Sequence, residues 1–271
     1  MIKRILKKAI IYFFLILLIV ITLVPFYLVT VNATHSSYEI VTKLNLLPGR
    51  YLGENYAKLQ QYVNIWKGFF NSVSVSTIFM LTSGYFGALV AFGFAKYNFK
   101  GKKILFGVVL ASMMIPGQVS IIGFYKLGLQ LRLVNKLLTF MFPFFAPGVT
   151  SVSTIFFLRG MIEQGVPSSM LEAARIEGCS EFGLFNRIVL PCIKAGVATM
   201  CIFNFVNSWN NYIGPLIMIT DTKKYTMPIL ISLVKGIYLT NYGAMYLAVG
   251  ISILAGFIFF FFFFFFFFFF F

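Results

Sequence analysis

Two groups of residues in this chain have the types and spacing for chemistry. The first is an amide-rich run holding Asn204, Asn207, Ser208, Trp209, Asn210, Asn211 and Tyr212. Asn204, Asn207, Ser208 and Asn211 stand at i, i+3, i+4 and i+7, which on a helix is one face. Amides and hydroxyls both donate and accept, so they suit a neutral, polyhydroxylated ligand, and Trp209 or Tyr212 offers a ring for a pyranose to stack on. The same groups also tie helices together inside a membrane, and the spacing leaves both uses open. The second group is Ser168 to Pro191, a polar island in very apolar sequence. Four of the chain's seven acidic residues, Glu163, Glu172, Glu177 and Glu181, lie in it or just before it. Ser169 and Glu172 have the S-x-x-E spacing of a capping box, which predicts a short helix from about Met170 to Glu177. Gly178 then suits the left-handed residue that ends many helices. Ser180 is placed to cap a second short helix, and Pro191 to end or bend it. Ala173, Ala174 and Gly178 make one flank of this elbow small, so another protein surface can approach closely.

Covalent chemistry finds no support. There is no nucleophile–base pair and no pair of catalytic carboxylates in the apolar stretches. Cys179, Cys192 and Cys201 have no C-x-x-C spacing and no histidine partner, and His35 is the single histidine. Buried thiols and a solvated loop imidazole are the expectation, with no metal site. Gly101-Lys102 lacks the upstream glycine of a phosphate loop, and Lys103 stands where that loop needs Ser or Thr, so the chain has no Walker A motif. The expectation is a chain that is not an enzyme and binds no cofactor of its own.

Both groups must be positioned by membrane helices. The chain is 60% hydrophobic and 11% charged, with a mean hydropathy of +0.91. That composition belongs to an integral membrane protein, and 271 residues hold about six spans of ~20 residues with short connections. The net charge of +15 would suggest nucleic acid in a soluble protein. Here Lys and Arg sit at the ends of apolar runs, where they set topology and meet anionic lipid headgroups, and no nucleic acid is expected.

The chain reads as a single transmembrane domain over residues 1–271. Lys3, Arg4, Lys7 and Lys8 precede a first span within residues 1–31, with a cytoplasmic N-terminus. Residues 32–67 form an extracellular loop with a Pro48-Gly49 turn, and its Tyr38, Tyr51, Tyr56, Tyr62 and Trp66 are interface anchors or sugar contacts. A core over residues 68–258 follows. Its second span, Gly68 to Phe94, carries Gly87, Ala91 and Ala95 at i, i+4 and i+8 for close helix packing. Lys96, Lys100, Lys102 and Lys103 mark the cytoplasmic side. The third span, Ile104 to Phe124, is expected to kink at Pro116-Gly117. The fourth, Leu137 to Leu158, has Pro143, Pro147 and Gly148 in its outer half. The elbow loop of residues 159–194 leads to a fifth span, Ala195 to Ile219, then a solvated outer loop from Asp221 to Asn241 and a last span from Tyr242. From Phe259 to Phe271 every residue is Phe. Thirteen identical rings offer no packing specificity and no charged stop, so this tail reads as a sequence artefact.

The elbow also carries a family resemblance. Glu172-Ala173-Ala174, then three residues, Gly178, then nine residues, Ile188, one residue and Leu190-Pro191 resembles the EAA signature of ABC-importer permeases. Trp209-Asn210 and Tyr225-Thr226 are similar to the maltose/oligosaccharide-uptake branch. The likeness covers about Trp66 to Leu254. It implies an all-α, six-span fold of type I with the elbow as a cytoplasmic coupling helix. It also implies one permease subunit of an ATP-driven importer of oligosaccharides or related glycosides, in a bacterial inner membrane. The implied partners are a second permease, two ATPase subunits that carry ATP and Mg, an external solute-binding protein and membrane lipid. Glu172, Ala173, Ala174, Gly178, Leu190 and Pro191 are the implied coupling residues. The substrate pathway is expected at Asn204, Asn207, Ser208, Trp209, Asn211 and Tyr212.

Two other readings stay open. An ion-coupled secondary transporter would keep a carboxylate in the membrane core, and the expected spans contain no Asp or Glu. An importer of a different neutral solute fits the same residues.

Overall fold

The computed structural model describes residues 2–141, 151–237 and 241–270. All regular elements among them are helical. In chain order these are α1 (Ile2–Asn32), α2 (Ser37–Thr42), α3 (Leu52–Tyr62), α4 (Ile65–Lys96), α5 (Lys102–Met113), α6 (Gly117–Gln130), α7 (Leu138–Met141), α8 (Ser151–Gly165), α9 (Ser168–Ile176), α10 (Glu181–Leu184), a π-turn (Phe185–Val189), α11 (Leu190–Cys192), α12 (Lys194–Trp209), α13 (Ile213–Met218), a 3-10 turn (Thr222–Lys224), α14 (Met227–Ile237) and α15 (Tyr242–Phe270). By length and composition, two described helices can each cross a membrane, Ile10–Asn32 and Ile65–Lys96. A third span arises if Glu181–Cys192 and Lys194–Trp209, bent by 83°, count as one. Of the other expected spans, the third and the fifth are divided into shorter helices, the fourth runs over residues outside the described ones, and the last lies in the single helix α15. The third breaks at Pro116 into α5 and α6, as Pro116-Gly117 predicts. Pro143, Pro147 and Gly148 lie outside the described residues.

The chain forms two units, residues 1–66 with 230–255, and residues 67–229 with 256–271. In the first, α1 exposes its apolar surface from Ile10 to Tyr27, while Val31 and Ala33 at its end are buried. The loop expected over residues 32–67 is instead folded. Ser36 and Glu39 form a complete capping box on α2. The Asn55 amide, buried, donates to the carbonyls of Ala33 and His35 at 2.9 Å each. Gly49 is required where the chain returns past residue 34, since a Cβ there would stand 2.5 Å from the Thr34 carbonyl oxygen. The expected outer loop after Asp221 also needs correction. It contains α14, which buries Met227, Ile229, Leu230 and Val234. Met227, Leu230 and Val234, at i, i+3 and i+7, share one face of the helix, so burial wins over solvation.

In the second unit Gly87 and Ala91 of the expected small-residue series lie on the packed side of α4, joined by Gly84 and Ala88, whereas Ala95 is only half-buried. A Cβ on Gly87 would sit 2.7 Å from the Thr154 methyl of α8, and one on Gly84 2.5 Å from the Cys201 sulfur of α12. Ala88 and Ala91 are fully buried. At the far end of α4, Asn71 donates to the carbonyls of Lys223 and Tyr225, and the Ser72 hydroxyl accepts the Met227 N–H at 2.7 Å. A cluster of Val75, Phe124, Phe140, Met218 and Ile219 joins α4, α6, α7 and α13 there.

Candidate functional site: the elbow and the amide run

The elbow lies wholly in the second unit. Its first helix, α9, starts at Ser168, two residues earlier than expected, with Pro167 at the N-cap and no side-chain cap. The predicted Ser169–Glu172 capping box is therefore not formed. Proline disfavours helix at the residue before it, so the boundary between α8 and α9 falls at Val166-Pro167. Ser169 is then already inside the first turn, where its hydroxyl has no N–H ahead of it to cap.

The end of α9 matches its sequence. Gly178 has φ +79°, its N–H reaches the Arg175 carbonyl, and the Cys179 N–H reaches the Ala174 carbonyl. This pair of bonds is a Schellman turn. Ser180 caps α10, accepting the Gly183 N–H at 3.2 Å. The proline at 191 has no N–H to give the Arg187 carbonyl, and the turn before it widens, with Leu190 N–H bonded to the Phe185 carbonyl. The chain then breaks at Ile193 into α12.

Leu171, Leu184, Phe185, Val189 and Ile193 are buried under the elbow. Phe185 stacks on Phe92 of α4 at 5.9 Å and meets Tyr85 edge-on at 5.5 Å. Three hydrogen bonds tie the same segment to α4 and to the residue that follows it. The Tyr85 hydroxyl donates to the Asn186 side-chain oxygen at 3.1 Å, Lys96 Nζ donates to the Val166 carbonyl at 2.5 Å, and the Tyr97 hydroxyl donates to the Glu181 carboxylate. Arg175 grips that carboxylate with two nitrogens, at 2.8 and 3.1 Å. The Arg175 guanidinium first, then the Tyr97 hydroxyl, holds Glu181 below the ordinary carboxylate range. The lowered value means the contact is present above that range and persists until pH falls beneath it.

The outward side is open. Glu172, Ala173, Gly178 and Pro191 are exposed, and Ala174 and Leu190 are half-buried. Beside them stand large apolar side chains: Ile176 is 87% exposed, Phe182 63% and Met170 42%. Sequence reasoning did not single these three out. The available signal was an apolar residue, Ile176, wedged between Arg175 and Glu177 on the polar flank of a short helix. A small, partly apolar surface on a rigid turn is suited to docking another protein.

The amide run is divided. The helix α12 ends at Trp209, so Asn211 does not share its face, contrary to the i, i+7 reading. Pro215 is the cause, because its ring would clash with the residue 211 carbonyl in a continuous helix. Asn204 is fully buried, with Nδ2 donating to Thr154 Oγ1 of α8 at 3.1 Å. Trp209 is buried too, stacked on Phe205 at 5.7 Å and edge-on to Phe69 at 6.2 Å. Asn207 is exposed, and Ser208, Asn211 and Tyr212 are half-buried. Asn204 and Trp209 are thus buried against neighbouring helices, whereas Asn207 is exposed and Ser208, Asn211 and Tyr212 keep part of their surface.

Comparison with known proteins adds to this geometry. Residues 83–270 match the family described as "Binding-protein-dependent transport system inner membrane component". The chain is 32% identical over 233 residues to the arabinooligosaccharides transport system permease protein AraQ of Bacillus subtilis (strain 168), covering 84% of this chain and 81% of that one. It is 29% identical over 249 residues to the diacetylchitobiose uptake system permease protein NgcG of Streptomyces coelicolor, covering 89% and 79%. A chain of a bacterial ABC transporter involved in import of the acidic polysaccharide alginate shares its fold, with a TM-score of 0.76, 18% identity and 94% of each chain covered.

Proposed function

This chain belongs to the family of binding-protein-dependent transport system inner membrane components, and on that premise we propose that its elbow is the docking element of a sugar importer. The chain is a permease subunit of an ATP-driven importer. Its cargo is an oligosaccharide or related glycoside, a reading supported by the relatives named for arabinooligosaccharides and diacetylchitobiose. It works with a second permease, two cytoplasmic ATPase subunits that hold ATP and Mg, and an external solute-binding protein. Its N-terminus and elbow face the cytoplasm. ATP closes the ATPase pair, the elbows approach each other, and the pathway opens outward to receive the sugar. Glu172, Ala173, Ala174, Gly178, Leu190 and Pro191 belong to the coupling surface. Asn207, Ser208, Asn211 and Tyr212 remain the accessible candidates for the sugar.

The observation that carries the reading is the exposure of Ile176, Phe182 and Met170 around the Gly178 turn. Ile176 and Phe182, 87% and 63% exposed, flank the ordered turn at Gly178 beside the small residues Ala173 and Ala174, and a partner's cleft would bury them. Burying a side chain of this size contributes about 1.5–3 kcal/mol. Ile176→Asp is expected to leave the chain in the membrane, to lose at least tenfold of the co-purifying ATPase subunit and to abolish uptake. Normal co-purification and uptake by that variant would overturn the docking assignment. The sugar is identified separately, as the ligand whose loaded binding protein raises the ATPase rate most.

A further inference from the structure

We propose that Tyr97, Glu181 and Arg175 form a clamp that fixes the elbow to the end of α4, so that α4 is the helix through which elbow movement enters the membrane. The three are positioning residues, and the proposal rests on the docking reading above.

Both oxygens of the Glu181 carboxylate are engaged from different elements. Arg175 Nε donates to Oε1 at 2.8 Å, Arg175 Nη2 to Oε2 at 3.1 Å, and the Tyr97 hydroxyl also to Oε2. Arg175 is in the last turn of α9, Glu181 is the first residue of α10, and Tyr97 directly follows α4. One carboxylate therefore closes the turn around Gly178 and joins it to a third helix. The Arg175 guanidinium also lies 5.8 Å from the centre of the Tyr97 ring. Burial, then the Glu181 carboxylate, holds the Tyr97 hydroxyl above its ordinary range.

Helix α4 is suited to carry motion. It is a single helix of 32 residues; Gly84 and Gly87 bring it close to α12 and α8, where a Cβ would stand 2.5 Å from the Cys201 sulfur and 2.7 Å from the Thr154 methyl, and Ala88 and Ala91 are fully buried. The bonds from Tyr85 to Asn186 and from Lys96 to Val166 add two further ties along the same helix. A turn held only at its own ends would swing when pushed. A turn fastened to α4 at several points passes the push on.

Arg175 and Glu181 are largely exposed, and an exposed ion pair adds little to stability. The clamp should accordingly show in coupling rather than in assembly. The test uses the whole transporter in proteoliposomes with its ATPase subunits and sugar-loaded binding protein. It measures the ratio of stimulated to basal ATPase and the sugar moved per ATP. Tyr97→Phe removes one hydroxyl and is expected to retain the ATPase subunit on purification while stimulation falls roughly fivefold or more. Glu181→Gln is expected to fall at least as far. Glu181→Arg should be worse still, with the exchange Arg175→Glu/Glu181→Arg recovering part of its loss. Full stimulation in both Tyr97→Phe and Glu181→Gln, with Ile176→Asp inactive, overturns the clamp and leaves docking intact. Full stimulation in Ile176→Asp as well overturns the docking reading itself. Loss of assembly in Tyr97→Phe would make the contact purely structural and would also overturn the proposal.

Discussion

The link between Asn204 and Thr154 offers a direct test of what the amide run does. Thr154→Val keeps the shape of the side chain and its methyl against Gly87 while removing Oγ1. Asn204 is fully buried and pairs with that oxygen through both ends of its amide, at 3.1 and 3.4 Å. The change therefore strands a buried amide. Stranding a buried polar group costs about 1–3 kcal/mol in general. Between membrane helices the measured coupling averages nearer ~0.6 and reaches ~1.7 kcal/mol, since the separated helices also find partners. A working value of about 1 kcal/mol corresponds to a Tm lower by about 2–4 °C for a chain of this size. Asn204→Leu removes the amide at similar volume and should cost a comparable amount. The double variant removes both halves together, so its loss should fall short of the summed singles by about 1 kcal/mol. The assay is thermal denaturation of the purified transporter, followed by the monodisperse peak on size exclusion, with the KM for sugar uptake measured alongside. Additive losses would refute the pairing. An unchanged Tm in Asn204→Leu with a KM raised tenfold would show that the amide faces the sugar, and the helix-link argument would fall.

Two further outcomes follow from glycines. Gly178 has φ +79° and open space, with nothing within 4 Å of where a Cβ would stand, so substitutions there separate backbone strain from partner clash. Gly178→Val should cost about 1–3 kcal/mol in strain and lower uptake, whereas Gly178→Asn tolerates the left-handed region and should keep the turn; loss of ATPase co-purification in Gly178→Asn, checked by pull-down, then reports on the partner surface alone. Gly87→Leu drives side-chain atoms into Thr154, whose methyl would be 2.7 Å from the Cβ, and overpacking of this kind costs about 1–3 kcal/mol; a lower Tm is the expected result, and an unchanged Tm would mean that α4 and α8 are not pressed together there.

The elbow shows which local features were legible. Gly178 and Ser180 behave as their types predict because both act on backbone groups within a few residues. The capping box at Ser169 failed on an equally local point, the influence of Pro167 on where a helix can begin. The π-turn before Pro191 and the break before Pro215 are of the same kind. A proline announces an interruption, but the form of the interruption depends on what the neighbouring helices allow. In the amide run, spacing placed four polar groups on one face, and the break at Asn210–Tyr212 removed Asn211 from it. Of the rest, burial against α8 decided Asn204.

By itself the amino-acid sequence determined the apolar, helical class of this protein, the small-residue stripe of α4, the turn at Gly178 and the residues that mark its family. These depend on composition, helical period and backbone preferences, all of which act over short distances. The tertiary structure alone decided that Glu181 meets both Arg175 and Tyr97, that Asn204 pairs with Thr154 fifty residues earlier, and that Ile176 is left facing outward. A side chain's partner across such a separation is set by how helices pack, and packing is a property of the assembled surfaces rather than of any one segment.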